Sequence, residues 1–363
     1  MTQVKNWQLG REMEYPYEDR RPAKQVAYIF DPNKCIACQT CTVACKTTWT
    51  SGKGQEPIFW NNVETKPYGF YPTAWDVNLL GQMGPQEWHG TQYAGKTVFE
   101  SAPTGERVAG YLPDHRDYAH PNLGVDEVSG TVEKGAFFQG IHNVWMFYLA
   151  RICNHCTYPA CLAACPRKAI YKREQDGVVL IDQTRCRGYK ECVRACPYKK
   201  TFYNMVTRTS EKCIACYPLL EKGEQPRCVQ TCIGKIRLQG WLSKPDQARA
   251  DNPLDYIVHV RKVALPLYPQ FGTEPNVYYI PPVHVPREFL HELFGPGVED
   301  AIAAYKAVRH DPKLLAAFLL FGNTPKIITR FTHTEREAIG FNAEGDEVVR
   351  VPLTEPFFER PFF

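Results

Sequence analysis

Residues 186–197 read CRGYKECVRACP and repeat, with one cysteine changed and the following gap two residues shorter, the pattern CNHCTYPACLAACP at 153–166. In both, closely spaced cysteines are followed by a last cysteine after three residues, and then by proline. The change is Tyr189, which fills the slot held by Cys156 in the earlier copy. Two further groups complete the set: CIACQTCTVAC at 35–45 and CIACYPLLEKGEQPRCVQTC at 213–232. Together they use all fifteen cysteines of the 363-residue chain, leaving none for another task.

This spacing has a geometric reason. Three closely spaced thiolates wrap a loop around one cuboidal iron-sulfur cluster, while the cysteine three residues further on faces away and reaches a neighbouring cluster. The groups at 153–166 and 186–197 are close in sequence and exchange their last cysteines. One cluster then takes Cys153, Cys156, Cys161 and Cys196, and the other Cys165, Cys186 and Cys192. The remaining groups pair across the intervening chain, Cys35, Cys38 and Cys41 with Cys232, and Cys213, Cys216 and Cys228 with Cys45. The predicted fold is α+β, with one bacterial-ferredoxin-like unit nested inside another, each binding two clusters.

Other uses of cysteine fit less well. Zinc favours two separated C-x2-C pairs, and the four cysteines of 35–45 close a single tetrahedron poorly. Disulfides fail because an odd total cannot be fully paired. No C-x-x-C-H marks covalent haem. His155, between two ligands, suits a hydrogen bond or a packing role better than a metal bond.

At Tyr189 a cube corner meets a phenol, a poor ligand for soft metal. The expected product is a 3Fe-4S cluster on Cys165, Cys186 and Cys192; the alternative is a 4Fe-4S cluster with water, hydroxide or tyrosinate at one iron. Three 4Fe-4S clusters and one 3Fe-4S cluster are the expected cofactors, with iron the only metal and no catalytic residue. Losing an iron is expected to lift that centre above its neighbours in potential, so Tyr189 marks one end of a relay.

A hydrophobic content of 44% supports a buried core, and a net charge of +4 argues against nucleic acid as the partner. Between Arg167 and Lys200, ten basic residues stand against four acidic ones, enough to raise cluster potentials or to anchor an acidic partner. The opening MTQVKNWQLGREMEYPYEDRRP has no apolar core, so no signal peptide is expected there, and Arg20-Arg21 reads as a chance twin-arginine pair. LLAAFLLFG, the longest apolar run, falls far short of the roughly 20 residues of a membrane span.

QVAYIFD and GVVLIDQTRC predict strands feeding cysteine loops; ACLAAC and KECVRAC predict short helices. Residues 1–34 form an N-terminal arm and strand, and the outer unit spans 35–45 and 205–240 around an inner unit at 151–204. The cysteine-free, loop-rich 46–150, including FWNNVETKPYGFYP, is an insertion that covers the clusters and binds a partner. Residues 241–363 form a C-terminal extension that docks on partner subunits. Within it, YIVHVRKVALPLYPQFGTEPNVYYIPP predicts a strand plus extended loop, GVEDAIAAYKAVRHDPKLLAAFLLFG two helices broken near Asp311-Pro312, and EPFFERPFF a docking arm.

Four groups in this order, with an aromatic residue at 189, resemble the iron-sulfur beta subunits of complex molybdoenzymes related to respiratory nitrate reductase. The likeness is strongest to nitrite oxidoreductase beta subunits. It is carried by NWQLGREMEYPYEDRRP, WNNVETKPYGFYP, RICNHCTYPACLAACPRKAIYKR, CRGYKEC, VALPLYPQFGTEPN, FGPGVEDAI and GFNAEGDEVVR. Perchlorate reductase and ethylbenzene dehydrogenase beta subunits resemble it more weakly.

The resemblance implies an electron-transfer subunit serving an alpha subunit with a molybdenum bis-pterin site, and a haem-bearing gamma subunit or cytochrome. It places the Cys35, Cys38, Cys41 and Cys232 cluster at the alpha end and the Tyr189 group at the haem end. It also implies residence outside the cytoplasm, by export with the alpha subunit, the cytoplasmic membrane face being the alternative. A perchlorate, selenate or hydrocarbon enzyme is the nearest competing expectation. An iron-sulfur redox sensor is the competitor from another class, although no helix-turn-helix pattern supports it.

Overall fold

A computed structural model describes residues 2–67, 72, 74–119 and 145–354. Its organising strand is Gln25–Phe30, whose run of branched and aromatic residues is buried on both faces, as suits a central strand. Arg237–Leu242 pairs with it antiparallel, from Phe30 opposite Arg237 to Gln25 opposite Leu242. This register decides the position of the cysteines. Just beyond Phe30, Asp31 caps the turn Pro32–Lys34, which delivers Cys35; just before Arg237 lies Cys232. The first and fourth cysteine groups therefore meet at one end of a single sheet.

On the other side of the organising strand, Val277–Tyr279 pairs in parallel and takes Leu265–Pro266 as the edge. Strands beyond residue 241 thus complete the sheet at whose end the first and fourth cysteine groups meet. The helix Thr40–Trp49, carrying Cys41 and Cys45, packs on Arg227–Gln230, which carries Cys228.

A second pair of packed helices carries the second and third cysteine groups. Helices Ala160–Ala164 and Glu191–Ala195 pack together, and the hairpin of Ile170–Lys172 with Val179–Ile181 joins one cysteine group to the next. A second hairpin, Thr201–Asn204 with Thr209–Lys212, leaves Cys196 and arrives at Cys213. The boundary expected at 204–205 falls inside this hairpin.

Within the insertion, Asn62–Lys66 pairs with Phe147–Arg151. Lys66 meets Asp76, and Glu64 meets Arg151, all beneath the surface around Trp75. The helices Val298–Lys306 and Pro312–Leu319 are separated at Asp311, whose carboxylate accepts the Leu314 N–H as a helix cap at 3.0 Å. The predicted strand beginning at Tyr256 is corrected. Tyr256–Val260 is helical, continuing a turn started by the Asn252 cap and Pro253, and Ile257 and Val258 fill the core instead of a ladder. The arm EPFFERPFF, residues 355–363, lies outside the described residues.

Arg21, read from sequence as half of a chance pair, fastens the N-terminal arm. It donates to the buried Glu274 at 2.6 Å and to Tyr158 Oη at 2.9 Å, while Glu274 also accepts the Trp7 N–H at 3.3 Å. Replacing Glu274 with alanine removes the buried carboxylate from Arg21, which keeps Asp19, Tyr158 Oη and Lys5 O, and takes the acceptor from the Trp7 amide. It is expected to destabilise the chain by about 3–5 kcal/mol, measured by chemical denaturation followed through tryptophan fluorescence.

Candidate functional site

Each cysteine group is shaped by the same backbone device. Two residues after its first cysteine the chain enters the left-handed region, at Ala37 (φ 53°), His155 (φ 41°), Gly188 (φ 66°) and Ala215 (φ 55°). The twist turns amide groups toward sulfur, His155 N–H to Cys153 Sγ at 3.5 Å and Ala215 N–H to Cys213 Sγ at 3.4 Å. A second device follows the last cysteine of three groups. Lys168, Lys199 and Lys235 take φ near the same positive value and return their N–H groups to the carbonyls of Cys165, Cys196 and Cys232. The next amides reach sulfur, Ala169 N–H to Cys165 and Lys200 N–H to Cys196, at 3.3 and 3.4 Å. Left-handed non-glycine residues cost of order 1 kcal/mol each and persist where the surroundings demand them.

The chain gathers its thiols into four sets. Cys45, Cys213, Cys216 and Cys228 line one small enclosed space with Trp49 and Trp60. Cys153, Cys156, Cys161 and Cys196 line a second with His155 and Tyr198. Cys35, Cys41 and Cys232 are mutual neighbours beside Arg237, with Cys38 exposed at the rim. Cys192 neighbours Cys165 and Cys186, and the Ser210 amide donates to Cys186 Sγ at 3.4 Å. In this last set Tyr189 lies between the left-handed Gly188 and Lys190 and is 61% exposed.

The sets stand in a row. Cys41 packs with Cys228, Cys213 with Cys153, and Cys161 with Cys192. Every neighbouring pair of sets thus meets through the cysteines of adjacent groups.

The donor chemistry fits iron-sulfur clusters. Among the described residues no three His, Cys, Asp or Glu side chains converge on a position for a single ion. Burial and neighbouring sulfurs push the Cys216 thiol up to about 11 and those of Cys192, Cys213 and Cys228 up to about 12. Thiols so placed become thiolates when a multivalent cation joins them. Buried N–H donors at these spaces also find no acceptor among the described residues, namely Trp60 Nε1 at one and His155 Nε2 at the other. Because His155 Nδ1 accepts the Val179 N–H at 3.1 Å, its proton sits on Nε2, where a cluster sulfur would receive it. Trp49 Nε1 already donates to Cys216 Sγ at 3.1 Å.

Buried cations, which the cysteine spacing does not reveal, complete the electrostatics. Lys212 donates to Cys213 O at 2.9 Å and to Val179 O. Burial works against its charge, yet the sulfurs of Cys153, Cys161 and Cys213 raise its pKa overall. Lys199 and Lys200, part of the basic run seen in sequence, are buried and pushed down to about 7 by that burial. Part of the basic run therefore faces inward, where it cannot meet a partner.

These features define a ferredoxin-type iron-sulfur electron carrier. A 4Fe-4S dicluster domain is matched over residues 144–241. The beta subunit of selenate reductase from Thauera selenatis is 44% identical, over 77% of this chain and 89% of that protein. The perchlorate reductase beta subunit of Dechloromonas aromatica is 40% identical, over 88% and 90%. The respiratory nitrate reductase beta subunit of Haloferax mediterranei is 43% identical, over 77% and 84%. The chain belongs to the family of iron-sulfur beta subunits of molybdoenzyme reductases. It is the non-catalytic, electron-transfer partner of a catalytic alpha subunit. Among the described residues no helix is long and apolar enough to cross a membrane.

Gly188 tests the loop geometry. A Cβ there would overlap Arg208 O in a backbone conformation that side chains rarely adopt. Gly188→Ala is expected to lower iron content at the Cys165, Cys186 and Cys192 set alone. Iron analysis paired with electron paramagnetic resonance of the purified complex checks this.

Proposed function

We propose that this chain relays electrons through three 4Fe-4S clusters and one 3Fe-4S cluster, in two nested ferredoxin-like units, between a molybdenum-bearing alpha subunit and a haem-bearing subunit or cytochrome. Bound clusters supply reversible one-electron chemistry that no side chain of the protein offers. Three sets of four cysteines hold the 4Fe-4S clusters: Cys35, Cys38, Cys41 and Cys232; Cys45, Cys213, Cys216 and Cys228; Cys153, Cys156, Cys161 and Cys196. Cys165, Cys186 and Cys192 hold the 3Fe-4S cluster. Trp49, Trp60 and Tyr198 line the interior sets and keep water from them.

The observation that carries this reading is the row of four thiol sets, one of which ends at an exposed tyrosine instead of a thiol. A phenol does not complete a cuboidal corner as thiolate does. The Tyr189 end is assigned to the haem-bearing acceptor, and the end with the exposed Cys38 to the alpha subunit. The relatives serve reductases of selenate, perchlorate and nitrate, so an oxyanion is the proposed substrate class of the complex. Nitrite oxidation to nitrate, or nitrate reduction, is the reaction favoured by the wider sequence resemblance.

An iron and acid-labile sulfide count on the anaerobically purified complex tests the cofactors. After subtraction of the alpha subunit's iron, the expectation is about fifteen irons per beta chain and an oxidised 3Fe-4S signal. Tyr189→Cys is expected to raise the count by about one and to replace that signal with a 4Fe-4S spectrum. About sixteen irons in the unaltered protein, with no 3Fe-4S signal, would show that a fourth iron is held beside Tyr189.

A further inference from the structure

Arg237 opens the strand that follows the last cysteine, and only 1% of it is exposed. Its Nη2 donates to Cys41 Sγ at 2.9 Å. Its Nε and Nη1 have no acceptor among the described residues. The guanidinium lies 4.5 Å from the centre of the Phe30 ring, its partner across the sheet, so an aromatic face and sulfur replace the usual carboxylate. The ionisable groups acting on it most strongly are Cys41, Cys228, Cys232 and Cys35. Burial opposes its charge, and these sulfurs more than offset that opposition.

A permanently charged group enclosed without a carboxylate is unfavourable unless another anion faces it. Cys35, Cys41 and Cys232 belong to one thiol set, and Cys228 to the next. The cation therefore stands at the junction of two sites, with two N–H groups still to donate.

We infer that Arg237 is the counter-charge shared by the two outer cluster sites, and that it raises the reduction potentials of both. The inference rests on the proposed assignment of clusters to these cysteines. Each added electron makes a cluster more negative, so a fixed cation and N–H donors directed at its sulfurs favour the reduced state. Coulomb energy falls with distance, so a charge at the junction acts on both centres and far less on the two inner ones. Raising neighbours together lifts that half of the relay without opening a gap between them.

The test is a potentiometric titration, followed by electron paramagnetic resonance, of the complete complex carrying Arg237→Gln. Iron and sulfide contents are measured in parallel. The expected result is full cluster content and a fall in potential at the two outer beta-chain clusters, with the two inner clusters and the alpha subunit's centres unchanged. Full content with unchanged potentials overturns the inference, as does a fall at one outer cluster only. If Arg237→Gln loses iron, Arg237→Lys decides, because it keeps the charge and gives up the fork of donors. Iron is then expected to return with the charge and both outer potentials to stay close to those of the unaltered complex, whereas loss of iron from Arg237→Lys as well, or a large fall at one outer cluster alone, overturns the shared counter-charge. A parent complex without clusters on these cysteines would instead overturn the assignment on which the inference stands.

Discussion

The pairing of Gln25–Phe30 with Arg237–Leu242 is the constraint on which the site depends. It joins segments far apart in sequence and fixes which residues face one another at the end where the cysteines emerge. A slip of one residue would reverse the faces of Arg237–Leu242 and carry Arg237 away from Cys41. The sheet is therefore the jig that holds two remote cysteine groups in register, and Val277–Tyr279 stiffens it from the other side.

Local order within each group comes from another source. The left-handed residues Ala37, His155, Gly188 and Ala215 repeat at one position of every loop, although their side chains have little in common. What the positions share is the direction in which they turn the backbone, with amide groups brought toward sulfur. Tyr189 interrupts the chemistry of its loop while leaving this shape in place, because Gly188 and Lys190 on either side keep left-handed conformations. Side-chain identity and loop geometry are thus separable here, and a metal-binding shape persists around a residue that is a poor ligand.

Much of this could be read from sequence, for identifiable reasons. Cysteine spacing is a local code, and so are the branched run QVAYIF and the Asp311-Pro312 break, which the structure realises as a strand and a capped helix start. Tyr256–Val260 misled because its β-branched residues carry a strand propensity that the Asn252 cap and the surrounding core override. Arg237, Lys212 and the Arg21–Glu274 pair were invisible for a different reason. Their partners are set by the meeting of distant segments, and no spacing along the chain encodes such a meeting.

The outer strand pair encloses the inner hairpins along the chain, and this bears on how the chain gains its shape. Drawing Phe30 and Arg237 together closes a very long loop, and the entropy lost grows with the logarithm of its length. The inner hairpins, Ile170–Lys172 with Val179–Ile181 and Thr201–Asn204 with Thr209–Lys212, close only short ones. Once they form, the free length between the outer strands shrinks, and the remaining closure becomes easier. Short-range contacts therefore lower the entropic cost of long-range ones.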